Sequence, residues 1–418
     1  MSFVAVDLGA SSSRHTSDVG QIIVTPNNMV YMADGAVCKI EPDANDLTSS
    51  LEVNIVKTAG EACEHFPTHA LIGIMADRYT SLHERPSVNK RKFLQKINYV
   101  SAIVTAAINK VAYDLPDDID LYLAVPPIEI NDARENFSKN LVGSYEVTFP
   151  KYNGGTTVKF NVTSVQCYEE SFMAVTSFFF NMNGVPKESN KKYLSGTVLS
   201  LDIGASTTDL AIIRNGRYLD KSGQTYRTGG NEARDYLMNE VSARFDMELS
   251  IEDAEKSMAE GRLQQGNTYV DISDIVSAAK AALAKKLTLH MQTYFKRIGI
   301  DINTINAIVV SGGGSMQSKY INEAGEEVKT SEPMSWFVTQ ELLTWSHGTE
   351  VVPYGDDARF ANVKGLFIRA KVEESKRLQA AQTAMTQVQP QPVQQVPQAQ
   401  TVQQAQTVQQ PVQQVQQA

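Results

Sequence analysis

Three short apolar runs stand out along the chain, and each hands over to a polar loop. Residues 4–6 run into Asp7, residues 198–201 into Asp202, and residues 307–310 into Ser311-Gly312-Gly313-Gly314. Runs this short, closed by turn residues, predict buried strands that deliver a loop at their ends. Asn215-Gly216 lies between residues 210–213 and Tyr218-Leu219. Both central positions of a type I′ turn need positive φ, so this pair predicts that the strand after Asp209 folds back as a hairpin. From Phe93 onward Ile97, Val100, Val104, Ile108 and Val111 recur at three- and four-residue spacing, giving one apolar helix face before Pro116 stops it. Residues 121–125 return as a strand ending at Pro126-Pro127, and Phe360, Val363, Phe367 and Ala370 mark a helix that closes the folded part. The pattern is that of a mixed α/β body.

After Arg377 the periodicity stops. Apart from Leu378 and Met385, residues 378–418 are Gln, Val, Pro, Ala and Thr with no charge, and the hexapeptide Ala399-Gln400-Thr401-Val402-Gln403-Gln404 is repeated at 405–410. That composition cannot build a core, so 378–418 is expected to be a disordered Gln-rich tail. The rest of the 418 residues, with 42% hydrophobic content overall, is ample for a two-lobed body. A net charge of −9 argues against attraction of the whole chain to nucleic acid or anionic membrane, so any nucleic-acid contact would be local or made through an adaptor. Cys38, Cys63 and Cys167 are odd in number and widely spaced, which suits a reducing compartment. With no signal-peptide pattern at the start and no apolar run near the ~20 residues of a membrane helix, a cytoplasmic protein is expected.

The candidate chemistry lies in an internal repeat. Asp7-Leu8-Gly9-Ala10-Ser11-Ser12-Ser13 and Asp202-Ile203-Gly204-Ala205-Ser206-Thr207-Thr208 share the pattern Asp, aliphatic, Gly, Ala, Ser, hydroxyl, hydroxyl. Each follows a predicted buried strand, so each projects a carboxylate and then a series of backbone N–H groups and hydroxyls. Alone, such a stretch is an ordinary turn. Paired with its copy, and joined by Gly312-Gly313-Gly314 after a third strand, it predicts two loops facing across a cleft. Their carboxylates Asp7 and Asp202 would serve a hydrated Mg²⁺, and their donors would serve phosphate oxygens. No Gly-x-x-x-x-Gly-Lys-Ser/Thr occurs, and no Gly-x-Gly-x-x-Gly follows a strand at a helix start, which excludes the P-loop and dinucleotide fingerprints.

These residues resemble the phosphate-1, phosphate-2 and adenosine motifs of the superfamily that unites actins, heat-shock chaperone ATPases and sugar kinases. The second loop, ending in Thr208-Asp209, is similar to the bacterial-actin pattern Asp-Leu/Ile-Gly-Gly-Gly-Thr-Thr-Asp, departing at Ala205 and Ser206 where glycine is usual. Arg14 stands where actin-like proteins commonly carry a phosphate-reaching lysine. Residues 123–127, a helix over 134–140, and Val165-Gln166-Cys167-Tyr168-Glu169-Glu170-Ser171 resemble the run that leads to the first interdomain connection of ParM-type bacterial actins. There a glutamate positions the attacking water, and Glu170 aligns better than Glu169. Thr228-Gly229-Gly230-Asn231-Glu232 resembles a helix-opening turn, Ala254-Glu255-Lys256 a ribose- or adenine-contacting segment, and residues 361–367 the second connection, where Gly365 would let the helix pack closely.

The resemblance implies a duplicated actin-like (ribonuclease H-like) ATPase fold with two lobes around a nucleotide cleft. It places the first domain at 1–185, the second at 186–356, and a helix returning to the first at 357–377. It implies ATP as cofactor, with GTP left open, and Mg²⁺ held by Asp7 and Asp202 through water. It further implies catalysis by Glu170 and Asp202, and nucleotide contacts from Asp7, Gly9, Ala10, Ser11, Ser12, Arg14, Gly204, Ala205, Ser206, Thr207, Gly230, Glu255, Gly312, Gly313 and Gly314. The expected function is a nucleotide-dependent, self-assembling filament that segregates plasmid DNA through a DNA-binding adaptor. A small-molecule kinase on the same fold, or a chromosomal or phage cytoskeletal scaffold, is the alternative. A chaperone would need a β-rich domain after the ATPase, and a membrane-tethered actin a basic amphipathic end, and the sequence shows neither. Cys63, His65 and His69 lack the spacing of a metal site. Lys90-Arg91-Lys92 with Lys96 reads as a solvated helix face.

Overall fold

The computed structural model describes residues 2–387, except 34–35, 42–45, 81–82, 88 and 347, and the backbone alone for 384–387. Met1–Glu374 form one unit and Ser375–Ala418 a second.

The first unit is built on two sheets. The first comprises β1 (Ser2–Leu8), β2 (Ser12–Ser17), β3 (Ile23–Pro26), β4 (Met29–Tyr31), β5 (Ser50–Ala59), β6 (Thr68–Gly73), β7 (Asp118–Val125), β8 (Gly143–Phe149) and β9 (Thr156–Glu169), in the order β3-β2-β1-β7-β9-β8-β5-β6-β4. The second comprises β10 (Thr197–Ile203), β11 (Thr208–Arg214), β12 (Arg217–Tyr218) and β13 (Gln224–Tyr226), joined by two later strands. After the hairpin β14 (Arg262–Gln265) and β15 (Thr268–Asp271) comes β16 (Ala307–Ser311); after the hairpin β17 (Ser318–Ile321) and β18 (Glu327–Ser331) comes β19 (Glu350–Pro353). The order is β12-β11-β10-β16-β19, with β13 also on β11. The predicted Asn215-Gly216 turn joins β11 to β12 with φ of 52° and 68°.

The repeat seen in the sequence is a repeat of topology. β1 pairs antiparallel with β2 and parallel with β7, just as β10 pairs antiparallel with β11 and parallel with β16. Both central strands are buried on two faces, which explains why they read as continuous apolar runs rather than alternating ones. Ten helices among the described residues accompany the sheets: α1 (Ile74–Tyr79), α2 (Lys96–Tyr113), α3 (Ile130–Leu141), α4 (Glu170–Phe179), α5 (Lys191–Leu194), α6 (Gly230–Phe245), α7 (Ile251–Glu260), α8 (Ser273–Ile298), α9 (Met334–Leu342) and α10 (Ala361–Gln387). None is long and apolar enough to cross a membrane.

Side-chain alternation along the central strands decides which helix covers which face. Val4 and Val6 of β1 join the core with α2, while Phe3 and Ala5 point the other way and meet Val363, Leu366, Phe367 and Ala370 of α10. In the second sheet Leu199 and Leu201 meet Leu283, Leu287 and Met291 of α8, and Val198 meets Val175, Phe178 and Phe179 of α4. Thus α4 leaves the first sheet at β9 but covers the second, and α10 leaves the second at β19 but covers the first. Their crossing is tight. Ser177 Oγ donates to the Ala361 carbonyl at 2.8 Å, and a Cβ added at Gly365 would stand 2.0 Å from the Met173 carbonyl oxygen.

Two sequence expectations change in detail. For α2 one buried face was expected, yet residues 97–109 are buried all round, because its polar side is also enclosed. There Ser101 donates to Asn27 at 2.6 Å, and Asn109 meets His15 at 2.7 Å. α10 runs to Gln387, so the first ten residues of the expected tail are helical, as leucine, alanine and glutamine permit. Residues 388–418 of that tail lie outside the described residues.

A methyl at position 365 would meet backbone rather than a movable side chain. Gly365→Ala is therefore expected to lower stability by about 1–3 kcal/mol, read in thermal or denaturant melts. Unchanged melting would show that the two helices are not locked.

Candidate functional site

Each antiparallel hairpin turns at the C-terminal end of its central strand, and the two turns face one cavity of about 610 Å³. Asp7, Gly9, Ala10, Ser11 and Arg14 line it from the first sheet, and Asp202, Gly204, Ala205, Ser206 and Thr207 from the second. Glu170, Gly230, Glu255, Gly312, Gly313 and Gly314 line it as well. Ser12 does not; it opens β2, opposite Pro26 of β3. Glu169 is buried at the end of β9 outside the cavity, where burial raises its carboxyl above the usual range.

Local hydrogen bonds shape both turns. The Gly9 N–H donates to the Asp7 carbonyl at 3.1 Å, and Asn27 Nδ2 holds the Gly9 carbonyl at 2.6 Å. In the second turn the Gly204 N–H donates to the Thr207 carbonyl at 2.8 Å. The first amides of α6 are stitched onto this turn, Gly230 N–H to the Gly204 carbonyl at 2.9 Å and Asn231 N–H to that of Ala205 at 2.7 Å. Neither Ala205 nor Ser206 has positive φ, so the departure from glycine costs the backbone nothing. Gly312 is different: its φ is +85°, and a Cβ there would lie 2.3 Å from the Ile203 carbonyl oxygen and 2.7 Å from Asp202 Oδ1.

Strand register explains a residue the sequence reading passed over. The residue seven places after each aspartate sits directly across the hairpin from it, pairing Asp7 with Arg14 and Asp202 with Asp209. Arg14 Nη1 lies 3.5 Å from Asp7 Oδ2. Asp209, fully enclosed, accepts from Thr225 Oγ1 at 2.5 Å and lines the cavity. The offset that marks Arg14, applied to the second copy, would have found it.

Lys92 corrects the solvated-face reading. All three line the cavity; Lys90 and Arg91 remain exposed at its edge, whereas Lys92 begins a single 3-10 turn, Lys92–Leu94, and its half-buried ammonium pairs with Glu170. Its backbone N–H donates to Glu129 Oε2 at 2.7 Å, which fixes the turn. Spacing could not reveal this, because the partners are far apart in sequence. Elsewhere, His69 Nε2 bonds Glu52 Oε1 at 2.9 Å, and the His65 ring lies tilted against Tyr99 with centroids 4.2 Å apart.

Around the two turns Asp7, Glu170, Asp202 and Asp209 thus lie with Arg14 and Lys92, while further acidic and basic side chains, Glu129, Glu255 and Lys280 among them, line the rest of the cavity. Burial raises the Asp7 carboxyl, with Arg14 opposing. It raises Asp209 well above the usual range, with Glu170 adding to the effect. Asp202 is pushed up to about 6 by burial and by Glu170 and Asp7, against hydrogen bonds from Asn362 and Ser311. Burial alone would lower the Lys92 ammonium, but Glu170 and Asp7 outweigh it and hold it above its ordinary value. Deeper in the second lobe the lining turns apolar, with Met258, Leu283, Met316 and Met334, a surface suited to a flat ring. There Lys280, lowered to about 8 by burial, donates to the Met316 and Glu332 carbonyls and to Ser318 Oγ.

Because the folded-state pKa of Asp202 is raised, its contribution to stability is full below its ordinary value of 3.8 and is lost as pH rises through about 6. Asp202→Asn is therefore expected to stabilise the ligand-free protein by up to about 3 kcal/mol near pH 8 and to have little effect near pH 4, measured by denaturant unfolding at both. A variant destabilised equally at both would contradict the charge argument.

Residues 200–320, which include the second turn and the glycine run, match the family described as archaeal actin homologue MreB-like, C-terminal. No curated protein sequence matches the chain. Among solved structures, the actin-like protein Alp7A superimposes with a TM-score of 0.67 at 17% identity, covering 91% of this chain and 99% of Alp7A. Ta0583, an archaeal actin homolog, gives 0.64 at 14% identity over 90% of this chain and 100% of its own. Bacillus thuringiensis ParM with ATP gives 0.61 at 15% identity over 90% and 99%. With its length laid almost wholly onto these structures, the chain has the actin fold and resembles the ParM-type and archaeal actin-like proteins.

Proposed function

We propose that the chain binds ATP with Mg²⁺ in this cleft, hydrolyses it, and assembles into filaments whose stability follows the nucleotide state, acting in plasmid DNA segregation through a DNA-binding adaptor. The observation that carries this reading is the convergence of two equivalent hairpin turns, each led by an aspartate, on one cavity with Glu170, Lys92 and Arg14. Bacillus thuringiensis ParM is known with ATP and with AMPPNP, and Ta0583 with ADP, which supports a nucleotide as the occupant. The net charge of −9 favours an adaptor over direct DNA contact.

The donor set fits a hydrated Mg²⁺. Among the described residues no three His, Cys, Asp or Glu side chains are grouped to cage a metal ion, and Mg²⁺ is ordinarily held by one or two carboxylates, waters and phosphate oxygens. Asp7 and Asp202, one from each turn, would hold it, and it would supply charge neutralisation at the phosphates. The turn residues 9–11 and 204–207 would surround the phosphates, with Glu255 and the apolar wall of Met258 and Met316 toward the nucleoside. Glu170 and Asp202 would orient a water for in-line attack on the γ-phosphorus. As the new P–O bond forms, the bond to the bridging oxygen breaks and ADP leaves; Glu170 would take the water's proton. Arg14 and Lys92 would offset the charge spread over the transferred group. Loss of the γ-phosphate removes contacts that tie the two turns together, which would loosen the lobes and, with them, subunit contacts.

Light scattering and sedimentation with ATP, ADP and a non-hydrolysable analogue test the reading. Wild type is expected to assemble with ATP and the analogue and to disassemble after hydrolysis, whereas Asp202→Ala hydrolyses at least about 100-fold more slowly and stays assembled. Hydrolysis without assembly would point instead to a kinase on the same fold. Lys92→Ala is expected to lower kcat by about 10- to 100-fold, while Lys159→Ala, exposed on β9 away from the cavity, leaves it unchanged, in steady-state phosphate release. Equal effects of the two would remove Lys92 from the site.

A further inference from the structure

Asp202 is held by two donors that belong to different elements. Ser311 Oγ donates to its Oδ1 at 3.0 Å, and Asn362 Nδ2 to its Oδ2 at 2.9 Å. Ser311 stands opposite Asp202 in the parallel register of β10 and β16, so it moves with the second sheet. Asn362 lies in the first turn of α10, and that helix is fastened to the first sheet: Val363, Leu366 and Phe367 pack on Phe3, Tyr122 and Ala124. It is also fastened to α4, by the Ser177–Ala361 hydrogen bond and by Gly365 against Met173. A rotation of one sheet against the other about this crossing would leave the Ser311 bond intact and alter the Asn362 bond.

We infer that Asn362 is a positioning residue for Asp202, one that makes the alignment of this carboxylate depend on the angle between the two lobes. The inference rests on the hydrolytic reading above. Asn362 is suited to the part because an amide donates without neutralising the carboxylate it orients. Its Oδ1 is buried with no hydrogen-bond partner, a cost that a leucine of similar size would not incur. The side chain is thus better explained by what Nδ2 does than by packing. Misplacing a reacting group by about 1 Å is enough to cost on the order of 10²-fold in rate, so a single donor on α10 can gate the reaction. In this account hydrolysis is fast only in the lobe arrangement that lets Nδ2 reach Asp202, which ties the chemistry to whatever sets that arrangement.

The test compares wild type with Asn362→Ala and Asn362→Leu, measuring ATP affinity, single-turnover hydrolysis and thermal melting on the full chain. Both variants are expected to hydrolyse about tenfold or more slowly, with affinity within about twofold of wild type. Leucine fills the volume and keeps the test sharp should alanine fail to fold. Asn362→Asp, which sets a like charge against Asp202, is expected to be at least as slow. Unchanged hydrolysis in the leucine variant overturns the inference, as does a parallel loss of affinity, rate and melting temperature, which would mark a purely structural role. A wild type that binds ATP without hydrolysing it refutes the reading of the site and takes this inference with it.

Discussion

The burial of Asp7, Glu170, Asp202 and Asp209 close together at the turn end of the cleft, beside Arg14 and Lys92, is the constraint on which the rest of the molecule turns. Burial drives the Asp7, Asp202 and Asp209 carboxyls upward, so the ligand-free site holds its charge at a cost. A scaffold that keeps such groups together must supply stability from elsewhere, and here it comes from two sheets whose central strands are enclosed on both faces. The same clustering defines the kind of ligand that would relieve it. A nucleoside triphosphate with a divalent cation brings positive charge to the aspartates and negative charge to Arg14 and Lys92, and its two ends match the polar and apolar halves of the cavity.

The crossing of α4 and α10 converts that chemistry into a mechanical arrangement. Each helix begins from one sheet and covers the other, so neither lobe can move without moving a helix packed on its neighbour. Glu170 opens α4 and Asn362 lies in the first turn of α10, which places both at the cleft end of the crossing. Asp202 is bonded both by Ser311 of the second sheet and by Asn362 of α10, so the orientation of this carboxylate is tied to both sides of the cleft.

Much of this was legible from the order of residues. The apolar runs before Asp7, Asp202 and Ser311 are long enough to be strands and too short to be helices, and their shared ending exposed the duplication. Positive φ at Asn215-Gly216 followed from turn chemistry, and the close approach at Gly365 from the absence of a side chain. Ser12 was misplaced from the cavity because a loop and the first residue of the next strand look alike in sequence. Lys92 was read as solvated with Lys90 and Arg91, and nothing local distinguishes the one whose ammonium is drawn in to pair with Glu170.

What the sequence determined by itself is whatever depends on neighbours along the chain: the strands, the turns, the repeated aspartate and the register that sets a residue seven places on across from it. These follow from local sterics and from periodicity. Only the tertiary structure decided which groups share the cleft, because Lys92 with Glu170, and Asn362 with Asp202, are contacts across 78 and 160 residues. Such pairs are fixed by how two helices cross, and no window of sequence contains that information.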